Sequence, residues 1–315
     1  MTLSQSPEAS VLVIGAANID LIGVLDENLH THTSNPAHIR FSFGGVARNV
    51  AENLSRLGQP VRLITAVGDD QFGAPLLNQV TGAGVNTNDV ICSTRYSTGS
   101  YIGVINRAGE LQMALDDMHV IREITSQYLR DRYALFKDAS LLFVDANLPK
   151  KTLRTAISLA KRAKIPIVAD PTTTLLAHRF IPYLKDFYLL TPNIHEAAIF
   201  CDQVIDPTDP EQALEAGKFL VSKGVQIVII TLAEFGVCYA TSETSGFIPA
   251  IRTEILDPTG GGDALSAAVV FALFNDIPID DAVRLGVSAA SLTLKHRGAV
   301  LPDLSLEKLY DHLSI

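Results

Sequence analysis

Residues 141–170 read LLFVDANLPKKTLRTAISLAKRAKIPIVAD, and they decide the architecture. Leu141 to Asp145 is a short apolar run that reads as a buried strand, Lys151 to Ala163 as a helix, and Pro166 to Asp170 as the next strand. A strand, a helix and a strand at that spacing make a parallel βαβ unit. The rhythm extends both ways. Upstream, Val11 to Ile14 is a strand ending at Gly15. Val46, Val50, Leu54 and Leu57 fall on one helical face, and Gly58 stops that helix. Val61 to Val67 reads as a strand and Phe72 to Val80 as a helix. Downstream come a helical stretch near Leu175, a strand at Phe187 to Leu190 and helices at Ile194 to Cys201 and Glu211 to Lys223. A strand at Gln226 to Thr231 follows, and two helices, Asp263 to Phe274 and Asp280 to Leu294, close the chain. The expected fold is α/β: a doubly wound, mostly parallel sheet with helices on both faces. One feature breaks the rhythm. Tyr101 to Ile105 and Leu111 to Leu115 flank the turn-rich Asn106 to Gly109, which is a hairpin signal. With Pro36 to Phe43 it predicts a small β-lid, from segments near 36–43 and 98–115, inserted in a single domain over residues 1–315.

Composition narrows the function. Hydrophobic residues are 47% of the 315 and charged residues 19%, enough apolar material for an ordinary core. The net charge of −9 argues against nucleic acid or an anionic membrane as partner. An acidic chain needs a local device to bind an anion. Cys92, Cys201 and Cys238 are far apart and odd in number, which fits a reducing cytoplasm and neither a disulfide framework nor a zinc knuckle. Met1 to Ser10 lacks a basic leader. The longest membrane-like run, Ala264 to Phe274, is too short to span a bilayer as a helix.

The local device is Asp257-Pro258-Thr259-Gly260-Gly261-Gly262-Asp263. Three glycines leave backbone N–H groups free to converge on an anion, and the following helix adds its positive end. A carboxylate beside such a hole, Asp263, can take a proton from an attacking hydroxyl. A glycine loop with Asp263 as an ordinary cap is the plain alternative. Gly44-Gly45 opens an earlier helix with Asn49 one turn in. Asn18 and Asp20, two apart in extended chain, face the same way and offer the donors and acceptors that vicinal hydroxyls need. All three segments are expected at carboxyl ends of strands, where open α/β sheets bind ligands. Asn193 and Glu196 share a helix face and suit hydrated Mg²⁺, or equally a simple capping box. Thr231 to Gly236 ends a strand with a turn. No GxxxxGK[ST], GxSxG or HExxH occurs, and the histidines form no ligand-spaced cluster. The acid pairs Asp69-Asp70 and Asp116-Asp117 read as solvated turns.

Gly44-Gly45-Val46-Ala47-Arg48-Asn49-Val50-Ala51 together with Asp257 to Asp263 resembles the two signatures of the ribokinase (PfkB) family of carbohydrate and nucleoside kinases, in family order along essentially the whole chain. The resemblance implies a ribokinase-like fold and transfer of the ATP γ-phosphate to a primary hydroxyl. Asp263 would be the general base, and Gly260, Gly261 and Gly262 the anion hole. Asn18, Asp20, Gly44, Gly45 and Asn49 would hold the acceptor, with Asp117 and Asn147 as further contacts. Asn193, Thr231, Gly236, Gly260 and Gly262 would bind ATP. Asn193 and Glu196 would hold Mg²⁺ through water, and Asp257 and Thr259 a monovalent cation such as K⁺. The acceptor would be a nucleoside, and alternatively a sugar or a purine nucleoside. A non-catalytic nucleoside or nucleotide sensor on the same fold is the competing class. A homodimer through the β-lid is expected, in the cytoplasm. Two departures from the family pattern stand out. Pro258 replaces the common Thr and removes a backbone donor, which bears on the cation site; Gly261 replaces the common Ala and keeps its N–H.

Overall fold

The computed structural model describes residues 10–313, so Met1 to Ser10, read as lacking a basic leader, lies almost wholly outside the described residues. Strands in chain order are β1 Ser10–Ile14, β2 Asn18–Leu25, β3 Ala37–Gly44, β4 Val61–Ile64, β5 Ala66–Gly68, β6 Ile91–Ser93, β7 Gly99–Ile105 and β8 Leu111–Asp117. They continue with β9 Ala139–Asp145, β10 Ile167–Asp170, β11 Leu189–Leu190, β12 Ile227–Thr231, β13 Gly236–Thr241 and β14 Ser245–Pro249. The main sheet runs β14-β13-β12-β11-β10-β9-β1-β4. From β12 to β4 all pairs are parallel; β13 and β14 add an antiparallel edge.

Alternation along the strands divides the interior in two. Leu12, Ile14, Leu142, Val144, Ile167 and Ala169 face a core shared with helix Lys150–Ala163 and its neighbours. Val11, Val13, Leu141, Phe143 and Val168 face the other, against helices Val46–Arg56 and Gly261–Phe274. Strands buried on both sides must be apolar throughout, which is why residues 141–144 carry no polar side chain. The expected helical face is met: Val50 and Leu54 are fully buried and Leu57 nearly so.

A second sheet, β3-β2-β7-β8, stands apart from the first. Strand β2 leaves the main sheet only three residues after β1, and it supplies the centre of this sheet between β3 and β7. The hairpin β7–β8 and the strand near Pro36 to Phe43 were legible; β2 was not. The antiparallel pair β13–β14 and a third closing helix, Leu306–Leu313, were also unread. The expected single strand at Val61 to Val67 is interrupted at Thr65, and its second half pairs with β6 instead. Asp70, read as solvated, accepts from the amides of Phe72, Gly73 and Thr98, pinning a helix start to the base of β7. Among the described residues no helix is long and apolar enough to cross a membrane.

Candidate active site

The two glycine segments meet. Gly45 has φ +99°, and a Cβ there would lie 2.5 Å from the Ala16 carbonyl oxygen, so only glycine lets helix Val46–Arg56 start against the end of β1. One turn in, the Asn49 side-chain amide donates to Asp263 Oδ2 at 2.7 Å. Asn49 is itself held. Arg48 Nη1 donates to Asn49 Oδ1 at 2.8 Å and to the Phe43 carbonyl at 3.1 Å. Arg48 is 1% exposed and pairs with buried Glu52, which also receives Arg56. This chain of charges fixes which end of the Asn49 amide faces Asp263.

Gly260 caps helix Gly261–Phe274 at φ +79°. The first intrahelical bond runs from the Ala264 amide to the Gly260 carbonyl at 2.9 Å, which leaves the preceding N–H groups for an anion. The glycine loop was expected directly at the end of a strand, and it is not there. It arrives from the antiparallel edge through residues 250–259 and is set beside the strand ends by packing.

Asp263 is half-buried. Burial and the charge of Asp170 push its carboxyl well above the usual range, and the Asn49 hydrogen bond pulls it back. The acids around it were not anticipated. Asp145 and Asp170 end β9 and β10. Asp145 accepts from the amides of Ala16 at 2.7 Å, Asn147 at 2.9 Å and Ala47 at 3.3 Å, and so ties the two site segments to the sheet. Burial pushes Asp170 up to about 7 and Glu196, with Asp170's charge added, to about 8.

On the acceptor side, Asn18 Nδ2 donates to Asp20 Oδ1 at 2.7 Å, and burial raises Asp20 to about 6. Gly44 lies opposite Asn18, with no room for a side chain beside the Asp20 carboxylate. Tyr101 and Asp116 share the face of Asp20 through direct pairing. Asp117, the expected contact, points the other way: its carboxylate accepts from the His119 amide and pairs with the ring. Pairing register puts Asp116, not Asp117, on the Asp20 face. Asn147 lines a cavity of about 820 Å³ with Asp116, Met118 and Arg179. Phe41 packs against Phe43 and Phe72 on the face away from Asp20.

Asn193 and Glu196 form the capping box of helix Ile194–Cys201, each side chain accepting the other's amide at 2.9 Å. Thr231 is bridged to Asn193. Thr231 and Gly236 line a cavity of about 530 Å³ with Ile251, Pro258, Gly262 and Leu265, apolar in its walls and open toward the glycine loop. Asp257 Oδ1 accepts from the amide and hydroxyl of Thr259 at 3.1 and 2.7 Å, and Oδ2 from the Gly298 amide at 3.1 Å.

The pfkB family carbohydrate kinase model matches residues 8–305. Pseudouridine kinase of Escherichia coli (strain K12) is 30% identical over 297 residues, covering 94% of each chain. Guanosine-inosine kinase of Exiguobacterium acetylicum is 27% identical over 93% of this chain and 97% of its own. Arabidopsis thaliana ribokinase, solved with ribose and ATP, superposes with a TM-score of 0.84 at 19% identity, over 98% of this chain and 99% of the other. The chain is a member of the pfkB family of carbohydrate kinases, a kinase that phosphorylates a hydroxyl group of a sugar or nucleoside.

Proposed function

We propose that the protein transfers the γ-phosphate of ATP to the 5′-hydroxyl of a nucleoside, with pseudouridine as the acceptor. The single observation that carries the reaction is the 2.7 Å contact from Asn49 to Asp263, which brings both signatures to one point at a helix N-terminus. Asp263, once ionised, takes the proton of the 5′-hydroxyl. The oxygen attacks the γ-phosphorus as the bond from phosphorus to the β,γ-bridging oxygen breaks and ADP leaves, and the developing charge falls toward the amides of Gly260, Gly261 and Gly262. Asn18, Asp20, Gly44, Gly45 and Asn49 hold the ribose hydroxyls, and Asn147 lines a cavity with Asp116, which shares the Asp20 face. The 530 Å³ cavity suits the nucleoside half of ATP.

The donor set beside the anion hole is carboxylate oxygen at Asp170 and Glu196, both with raised pKa, which is the chemistry of a site that takes a divalent cation. Among the described residues no three acidic or His and Cys side chains converge on one point, so the fit is to Mg²⁺ carried by the phosphates and held mainly through water. Such an ion would neutralise phosphate charge as the transfer proceeds.

The β3-β2-β7-β8 sheet acts as a lid over the acceptor. Its outer face carries exposed Ile39, Phe41, Met113 and Leu115, and a homodimer closing on that face is part of the proposal, as is a cytoplasmic setting.

Pseudouridine is favoured by the relative at 30% identity and by the stretches Gly15 to Asp20, Ser34 to Pro36 and Asp116 to Met118, which resemble that enzyme. A purine nucleoside is the second reading, favoured by the relative at 27%. The test is ADP release with ATP and Mg²⁺ against pseudouridine, uridine, adenosine, inosine, ribose and fructose. Fast turnover of pseudouridine with poor uridine supports the reading. Turnover confined to a sugar or purine nucleoside discards the acceptor and keeps the chemistry. Binding of a nucleoside without any ADP release supports a sensor.

A further inference from the structure

Family resemblance implies a monovalent cation at Asp257 and Thr259, where the oxygens already hold hydrogen-bond partners and keep only their remaining lone pairs for a positive charge. Both carboxylate oxygens of Asp257 accept N–H or O–H bonds. The Leu294 carbonyl receives the amides of Leu256 and Asp257 at 2.9 and 3.3 Å. One positive charge does approach. Arg40, on β3 of the lid, brings Nη2 to 3.5 Å from Asp257 Oδ1 and donates from Nη1 to the Leu256 carbonyl at 3.3 Å. Arg40 sits on the same lid face as Asp20, since Arg40 pairs with Ile22 and Ser42 with Asp20. The Asp257 side chain is 4% exposed, so its charge calls for a partner.

We propose that Arg40 is the built-in counter-charge of Asp257 and makes the protein independent of a dissolved monovalent cation. The guanidinium binds a carboxylate and a carbonyl oxygen together, the two donor types a K⁺ ion would otherwise use. It is attached to the lid, so the loop leading to Gly260 is neutralised only while the lid lies over the site. Pro258, in that loop, and Gly262, beyond it, line the nucleotide-sized cavity, so the loop's state reaches nucleotide affinity as well as turnover.

The inference rests on the kinase reading for its rate measurement but not for its binding measurement. Turnover, and ADP·Mg²⁺ affinity by calorimetry, are compared in KCl and in tetramethylammonium chloride at equal ionic strength. The wild type is expected to agree within about twofold on both. Arg40→Ala in tetramethylammonium should lose at least about tenfold in affinity, with K⁺ restoring most of it, while Arg40→Lys stays cation-independent. A wild type that weakens tenfold without K⁺ overturns the proposal. So does Arg40→Ala that binds normally in tetramethylammonium, or one that is correctly folded by melting yet not repaired by K⁺. If no acceptor is phosphorylated but ADP affinity behaves as stated, the acceptor reading fails and the counter-charge stands.

Discussion

Replacing Asn49 by Leu keeps the branched side-chain outline and removes the donor that reaches Asp263 at 2.7 Å. A hydrogen bond to a charged group is worth about 1.5–3 kcal/mol. At ~1.36 kcal/mol per pH unit, losing it should raise the Asp263 carboxyl by about 1–2 units. The sign follows from the protonation state. The bond favours the carboxylate, so without it the proton is held more tightly and the base is ionised only at higher pH. The assay is the pH dependence of kcat/KM, which reports the free enzyme. The acid limb should move upward by about 1–2 units, so that at a pH below the wild-type limb the rate falls about ten- to a hundredfold. Loss of an acceptor contact alone would lower the whole profile and leave the limb in place. Asp263→Asn should remove several orders of magnitude of turnover while ADP affinity changes little. An Asn49→Leu profile that is lowered but unshifted, or an Asp263→Asn enzyme near normal rate, refutes the assignment of that limb to Asp263.

Three other outcomes are expected. The ligand-free protein should lose thermal stability as pH rises from about 5 to 8: Asp20, Asp170 and Glu196, raised to about 6, 7 and 8, bind protons in the folded state that the unfolded chain has already released. ADP with Mg²⁺ should recover most of that loss, and a melting temperature flat across the range would count against raised carboxyls at these three positions. Gly260→Ala should destabilise by about 1–3 kcal/mol, since φ is +79° and the new Cβ would lie 2.0 Å from the Ala299 carbonyl oxygen. Gly262→Ala meets open space and should melt no lower, yet turn over more slowly because the methyl enters the anion hole. Met113→Lys with Leu115→Lys should yield a monomer by sedimentation without changing the fold, because both side chains lie exposed on the lid's outer face; a persistent dimer would place the interface elsewhere.

The parallel sheet was legible because its strands are apolar on both faces and its helices short and regular. The lid's central strand β2 was not, because its partners lie in two distant segments and nothing local names them. The choice between Asp116 and Asp117 depended on pairing register, with an irregularity at Val104 and Ile105 that the sequence does not display. Arg48, Glu52 and Arg56 recur at helical spacing with alternating sign, a pattern of a solvated face. They are mostly buried, because this helix packs between the sheet and helix Gly261–Phe274. Asp145 and Asp170 were visible as acids at strand ends, but not that Asp145 would receive three amides or that Asp170 would stand against Glu196. The two glycine segments were legible as separate turns, each opening a helix. Their junction through Asn49 needed the fold.

Strand β2 begins only three residues beyond β1, at Gly15-Ala16-Ala17, where Asp145 leaves no room for a side chain on Gly15. That short span is a fulcrum, and the lid is a lever. At about 3.3 Å per residue the strand is ~26 Å long, so a ten-degree swing carries its tip about 4–5 Å. Asp20, two residues along, moves only about 1 Å on the same scale, while Arg40, level with Ile22, moves about 2 Å or more. On the proposed reading, a small swing would part Arg40 from Asp257 while Asn18 and Asp20 at the fulcrum still held the acceptor, so charge at the phosphate end would be released before the acceptor.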